Sequence, residues 1–119
     1  MLTDPASWVH HCVFSPDGAL LATASRDRTV RLWRIPEGTT HAVLTGHTND
    51  VDSCVFSPDG ALLATAGRDR MVRLWHVATG RSHCALRVAS AHTRIAWHPS
   101  GRLLCAVGGA SIYLLTYMP

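Results

Sequence analysis

The segment CVFSPDGALLATA runs from Cys12 to Ala24 and returns letter for letter from Cys54 to Ala66, 42 residues later. The likeness continues through SRDRTVRLW, which ends at Trp33, and GRDRMVRLW, which ends at Trp75, so that 20 of 22 positions match. A repeat of this period is one supersecondary unit written more than once. Such a unit hides its apolar surface by stacking on its neighbours rather than by folding alone.

The second copy shows what the unit is. TGHTND (Thr45–Asp50) is polar and turn-like, and VDSCVF (Val51–Phe56) is a short strand of β-branched and aromatic residues. SPDG (Ser57–Gly60) is a tight turn: Pro58 presets φ, Asp59 bonds locally and Gly60 tolerates positive φ. ALLATAG is a second strand, RDR a turn, MVRLWHV (Met71–Val77) a third strand, and SHCALRV (Ser82–Val88) a fourth after the turn at Gly80. No segment combines a 3.6-residue period with caps at both ends. In Val51–Phe56 the alternation sets Val51, Ser53 and Val55 against Cys54 and Phe56. Asp52 apart, neither side is charged, so both faces of the unit need cover. Stacking in a ring supplies it. A third, divergent copy aligns WHPSG (Trp97–Gly101) with FSPDG and IYLL (Ile112–Leu115) with VRLW. Eleven strands are expected in all.

The 119 residues fit one domain, with a net charge of +3. All 11 basic residues are Arg, and Arg26, Arg28 and Arg31 recur as Arg68, Arg70 and Arg73 at matched points of the repeat, so part of their clustering is simply periodic. Nothing in that pattern points to nucleic acid. No run of 18 apolar residues is present, and MLTDPASWVHHC lacks the form of a signal peptide. Cys12, Cys54, Cys84 and Cys105 form no CxxC pair and no disulfide framework. A cytoplasmic protein is the expectation.

Gly46–His47, Asp69 and RLW closing at Trp75, with a period of 42 and the frame FSPDG…LLATA…RDR…VRLW, resemble the WD-repeat β-propeller family. The resemblance covers about Trp8 to Tyr117, and the Arg- and Ala-rich spelling is similar to that of bacterial members. It implies an all-β fold: a WD40-type β-propeller segment of about three four-stranded antiparallel blades, the last incomplete. The blades fall at about 6–45, 46–88 and 89–119. It also implies a hydrogen-bonded set in each blade, which the second unit supplies as His47, Thr65, Asp69 and Trp75. The first unit keeps Thr23, Asp27 and Trp33 but has Pro5 in the histidine position. The third has Ala106, Ala110 and Leu115, with Val88 near the histidine position. Members of the family close rings of six to eight blades. Three readings of a three-blade chain stay open: a truncated product or the tail of a longer propeller, assembly with copies of itself or a partner into a fuller ring, and an open arc.

The function that follows is a non-catalytic protein–protein interaction scaffold with no cofactor and no metal. The alternative is a remnant or C-terminal fragment of a larger WD-repeat regulatory protein, a kinase or ATPase-type sensor, with no activity of its own. The partner is a protein or peptide, or a second copy completing a ring. Arg26, Arg28, Arg68 and Arg70 flank the turn aspartates at what the family makes a ring rim, and are either solvated turn charges or interface residues. Trp8 is an interface anchor or a cover for a bare blade edge. His10, His11 and Cys12 invite a zinc reading, but adjacent strand residues point to opposite faces, and Cys12 stands at a core position like Cys54. Trp97 replaces Phe56 in the core. Arg31 and Arg73 lay their stems along a blade.

Overall fold

The computed structural model describes residues 8–116. Three antiparallel sheets follow one another along the chain. The first contains β1 (Val9–Phe14), β2 (Leu20–Ser25), β3 (Val30–Arg34) and β4 (Thr39–Leu44). The second contains β5 (Val51–Phe56), β6 (Leu62–Gly67), β7 (Met71–His76) and β8 (Arg81–Arg87). The third contains β9 (Arg94–Trp97), β10 (Leu103–Gly108) and β11 (Ser111–Thr116). Strands lie in chain order within each sheet, and β1, β5 and β9 lie side by side from sheet to sheet. This is the expected all-β arrangement of about three blades with the last incomplete, and the described residues form the eleven expected strands.

The turns explain why the strands end where they do. Ser15 Oγ donates to Asp17 Oδ1 at 2.6 Å, and Asp17 accepts the Ala19 N–H at 2.9 Å. Ser57, Asp59 and Ala61 repeat this at 2.7 and 3.0 Å. Each turn closes on glycine at positive φ, 73° at Gly18 and 75° at Gly60, where a side chain would be strained. In the third unit His98 and Ser100 take the places of Ser57 and Asp59, with Nδ1 and Oγ 2.9 Å apart, and Gly101 closes the turn. The divergent letters build the same bend.

Two apolar clusters lie between the sheets. Ala22, Ala24, Val30, Leu32 and Leu44 of the first sheet meet Val51, Cys54, Phe56, Leu63, Trp75 and Val77 of the second. Ala64, Ala66, Val72 and Leu74, on the other face of the second sheet, meet Val88, Leu104 and Ala106. Full burial of a side chain the size of Leu63 stabilises by about 2 kcal/mol, so these interfaces dominate the fold. The second sheet is thus covered on both faces, and all of β6 is buried.

Two expectations need correction. Val51 does not share a face with Ser53 and Val55. The register shifts between Val51 and Ser53, and this bulge turns Val51 into the cluster of Cys54 and Phe56. Cys12 stands at the position of a core residue but is exposed, because no sheet covers the outer face of β1 among the described residues. Phe14 is 60 % exposed where its copy Phe56 is 6 %. Trp97 is half-buried beside the second cluster, with its indole donating to the Val55 carbonyl at 3.2 Å.

The same contrast separates the thiols chemically. Burial pushes the Cys54 thiol up to about 12, and the neighbouring Cys12 adds to the shift. In the native protein Cys54 is therefore expected to resist alkylation by iodoacetamide while Cys84 reacts, and to react only on unfolding. Peptide mapping checks this, and prompt native labelling of Cys54 would contradict the packing described.

Candidate functional site

The second sheet carries a chain of four polar side chains. It starts at Gly46, whose φ is 150° and whose place is tight: a Cβ there would sit 3.1 Å from Arg73 Nη1 and 3.3 Å from the Trp75 ring, and both would have to give by a few tenths of an ångström. His47 follows. The Trp75 indole can only donate, and it donates to Thr65 Oγ1 at 2.9 Å. Thr65 then gives its own proton to His47 Nε2 at 2.7 Å. That leaves the ring proton on Nδ1, which donates to Asp69 at 2.9 Å. Asp69 also accepts the N–H groups of Thr48 at 2.9 Å and Met71 at 3.1 Å. The side chains of His47 and Asp69 are 1 % and 3 % exposed. Burial holds the His47 pKa below its ordinary value; the Asp69 carboxylate works against that and Arg73 adds to it. The imidazole is neutral, and every polar atom of the set is used in tying the entering turn, β6 and β7 together.

The first sheet keeps one half of this. Trp33 donates to Thr23 Oγ1 at 3.0 Å. Pro5, in the histidine position, lies outside the described residues. Asp27 is held differently: it accepts Ser25 Oγ, Thr29 Oγ1 at 2.6 Å and Thr29 N at 3.1 Å. Burial works to raise the Asp27 carboxyl, but these hydrogen bonds and Arg31 outweigh it, so the pKa lies below the ordinary carboxylate value. Ser25 and Thr29 are the two positions at which the 22-residue copies differ. The second copy has Gly67 and Met71 there, and a Cβ at Gly67 would lie 2.8 Å from both Asp69 Oδ1 and His47 Nδ1. One copy therefore uses a serine and a threonine to hold its aspartate, and the other uses a histidine that needs a glycine beside it. The two mismatches were the sequence signal for this, and reading the first set as merely incomplete passed over it.

In the third sheet Ala106 and Leu115 leave the inner positions apolar, Ala110 is exposed, and Val88 is buried in the second cluster. Tyr113 Oη accepts the Ala89 N–H at 3.1 Å and Thr93 Oγ1 donates to the Ser90 carbonyl at 2.9 Å.

The candidate interface residues lie at one end of the sheets. Arg26 N donates to the Trp8 carbonyl at 2.9 Å and Arg68 N to that of Asp50 at 2.8 Å, which fixes each strand-connecting turn beside the segment entering its sheet. Trp8 is 72 % exposed, with the Arg26 guanidinium 5.6 Å from its ring centroid. Arg68 instead reaches Asp52 at 3.1 Å and Asp50 at 3.6 Å. Arg28 and Arg70 sit at the exposed turn tips with left-handed backbones, φ 73° and 63°, and have no side-chain partner among the described residues.

Sequence reasoning missed the residues that link the sheets at this end. His10 Nε2 lies 3.1 Å from Asp50 Oδ2, and His92 Nδ1 lies 3.8 Å from Asp52 Oδ2. With Arg68 they form a row from the first sheet to the segment entering the third, and His10, Asp52, Arg68 and His92 border an open hollow also lined by His11, Ser53 and Arg94. The pairing of Asp50 and Asp52 around Val51 was a faint signal. Among the described residues no three His, Cys, Asp or Glu side chains are grouped to hold a metal ion.

A family model described as WD domain, G-beta repeat matches residues 1–34 and 38–76, more than half of the chain. WD40 repeat-containing protein HOS15 of Arabidopsis thaliana is 48 % identical over 46 residues, 39 % of this chain and 8 % of that protein. Apoptotic protease-activating factor 1 of Danio rerio is 48 % identical over 46 residues, 38 % and 4 % of the two chains. General transcriptional corepressor TUP1 of Saccharomyces cerevisiae is 39 % identical over 44 residues, 37 % and 6 %. The chain spans less than a tenth of the length of each.

Two expectations test the polar chain. Gly67→Ser copies the first unit's residue into the second, yet its Cβ collides with His47 and Asp69. Urea unfolding should show a loss of about 2 kcal/mol or more. The second concerns pH. Because the folded His47 has a lowered pKa, the unfolded chain takes up the proton first. Its contribution is whole above the ordinary value of 6.5 and is lost as pH falls through the folded value. Stability should decline between pH 7 and 5, and His47→Gln, less stable at pH 7, should give a flatter profile over that interval.

Proposed function

The chain belongs to the WD domain, G-beta repeat (WD40) family, and from that premise we propose that it is a non-catalytic protein–protein interaction scaffold. Its recognition surface is the end that carries Trp8, Arg26, Arg28, Arg68 and Arg70. The observation that supports this most is the state of Arg28 and Arg70. A left-handed backbone at a residue other than glycine or asparagine is strained by about 1 kcal/mol. Both copies keep arginine there, aimed at solvent, where glycine would relieve the strain. Arg68 is offset by two aspartates, but among the described residues Arg28 and Arg70 are not. The ligand that suits them is an acidic protein segment, with Trp8 offering a flat apolar contact. The His47–Asp69 pair is engaged by Thr65 and the turn amides, so this reading assigns it no chemistry. We place the protein in the cytoplasm, a reading supported by four cysteines with no disulfide among them.

A second reading is that the chain is part of a longer bacterial WD-repeat regulatory protein, a kinase or ATPase-type sensor. The small share of each relative that it spans supports this reading. Reading the gene on both sides of this stretch tests it, and a stop codon directly upstream of Met1 with no further repeats downstream would end it.

The scaffold reading is tested with acidic peptides selected by display on the immobilised protein. Arg28→Gly with Arg70→Gly should weaken their binding about tenfold while raising unfolding stability by about 1 kcal/mol for each change. Unchanged affinity would remove these arginines from the surface. A salt dependence as steep as that of phosphate neutralisation, with tighter binding to an oligonucleotide, would move the partner to nucleic acid.

A further inference from the structure

The two ends of the row of sheets are unlike each other, and each repeats one side of an interface already present inside the chain. The outer face of the first sheet shows Val9, Phe14 and Cys12 to solvent, and Val9 and Phe14 are 46 % and 60 % exposed. Their copies Val51, Phe56 and Cys54 are the residues that the second sheet presses against the first. Leu21 and Trp33 complete this face as Leu63 and Trp75 do inside. The outer face of the third sheet shows Val107, Ile112 and Leu114, the last two 72 % exposed. Register assigns them their counterparts. Cys105 pairs with Leu114 as Ala64 pairs with Leu74, and Val107 with Ile112 as Ala66 with Val72. Ala64, Ala66, Val72 and Leu74 are the residues over which the third sheet packs.

We propose that the outer face of the first sheet docks on the outer face of the third sheet of a second copy of this chain, in the manner of consecutive sheets within it. The rim reading above is independent of this joint, which uses the faces of the sheets and leaves their ends free. The joint is head-to-tail, so both faces of each copy are used only when the assembly closes. With three described sheets in each, two copies bring together six, inside the range of four to eight at which such rings close, and three copies bring nine, which exceeds it. The assembly is therefore a closed dimer. By register each face also holds one arginine, Arg31 beside Thr23 and Arg94 beside Val107, at positions whose counterparts inside the chain are Arg73 and Ser53.

The internal interface also says which atoms meet. Cys54 Sγ lies 4.0 Å from the Ala22 carbonyl oxygen. By the repeat, Cys12 corresponds to Cys54, and Cys105 corresponds to Ala22 and Ala64. The joint therefore sets Cys12 of one copy against Cys105 of the other. Diamide is the reporter: it takes two electrons and two protons from the two thiols as one S–S bond forms.

Analytical ultracentrifugation across a concentration series should show a dimer of twice the protomer mass. Diamide should trap that dimer through Cys12 and Cys105, mapped by mass spectrometry. The trapped fraction should drop at least tenfold in Cys12→Ser and in Cys105→Ser and be unchanged in Cys84→Ser. Phe14→Glu and Ile112→Glu alter only exposed positions and should each give a monomer with an unchanged circular dichroism spectrum. A monomer that unfolds sharply at all concentrations would overturn the proposal. So would a Cys12–Cys12 or Cys84–Cys84 crosslink, which places like faces together, or a series of species beyond the dimer, which means that the ring does not close.

Discussion

A sheet whose two faces are both apolar is stable only between two others, and in this protein that constraint decides what is core. The second sheet meets it on each side, and its central strand β6 is buried from end to end. The first and third sheets meet it on one side. The same phenylalanine, valine and cysteine are interior in one copy of the repeat and exterior in the other. Burial here belongs to a position in the stack, and the residue supplies only the capacity to use it.

Within that packing, the polar groups set the angles. Stacked sheets leave the turns at their ends free to shift, and the chain from Asp69 through His47 and Thr65 to Trp75 removes that freedom in the second sheet. The first sheet reaches a related result with Ser25 and Thr29 around Asp27. Both arrangements surround a carboxylate with donors, which is why a buried or half-buried charge is tolerated there. The third sheet relies on apolar packing and a tyrosine hydroxyl instead. Order at one end of the sheets is what allows Trp8 and the turn arginines to be presented as a surface at all, since a recognition residue on a loose turn loses affinity to its own disorder.

Much of this was legible in the letters. The period, the strand-turn-strand frame and the SPDG bends follow from local chemistry, and local chemistry is nearly the same in both copies. The four residues His47, Thr65, Asp69 and Trp75 could be named before any coordinates, because the family pattern carries them. What escaped depended on neighbours. The face of Val51 was misread because a bulge is set by how β5 pairs with β6 rather than by alternation. The exposure of Cys12 and Phe14 follows from what lies beside β1, which no residue of β1 encodes. The links from His10 to Asp50 and from His92 to Asp52 join residues 40 positions apart, and only the lateral placement of the sheets brings them together.

The account depends most on the second sheet being packed against the first through their apolar faces. Leu63, fully buried in that contact, tests it directly. Urea unfolding of Leu63→Ala, followed by far-ultraviolet circular dichroism, is expected to give one cooperative transition weakened by about 3 kcal/mol, the loss that follows from leaving a cavity between two closed surfaces. A change of less than about 0.5 kcal/mol, the size seen at exposed positions, would mean that the sheets do not cover one another there and would contradict the account.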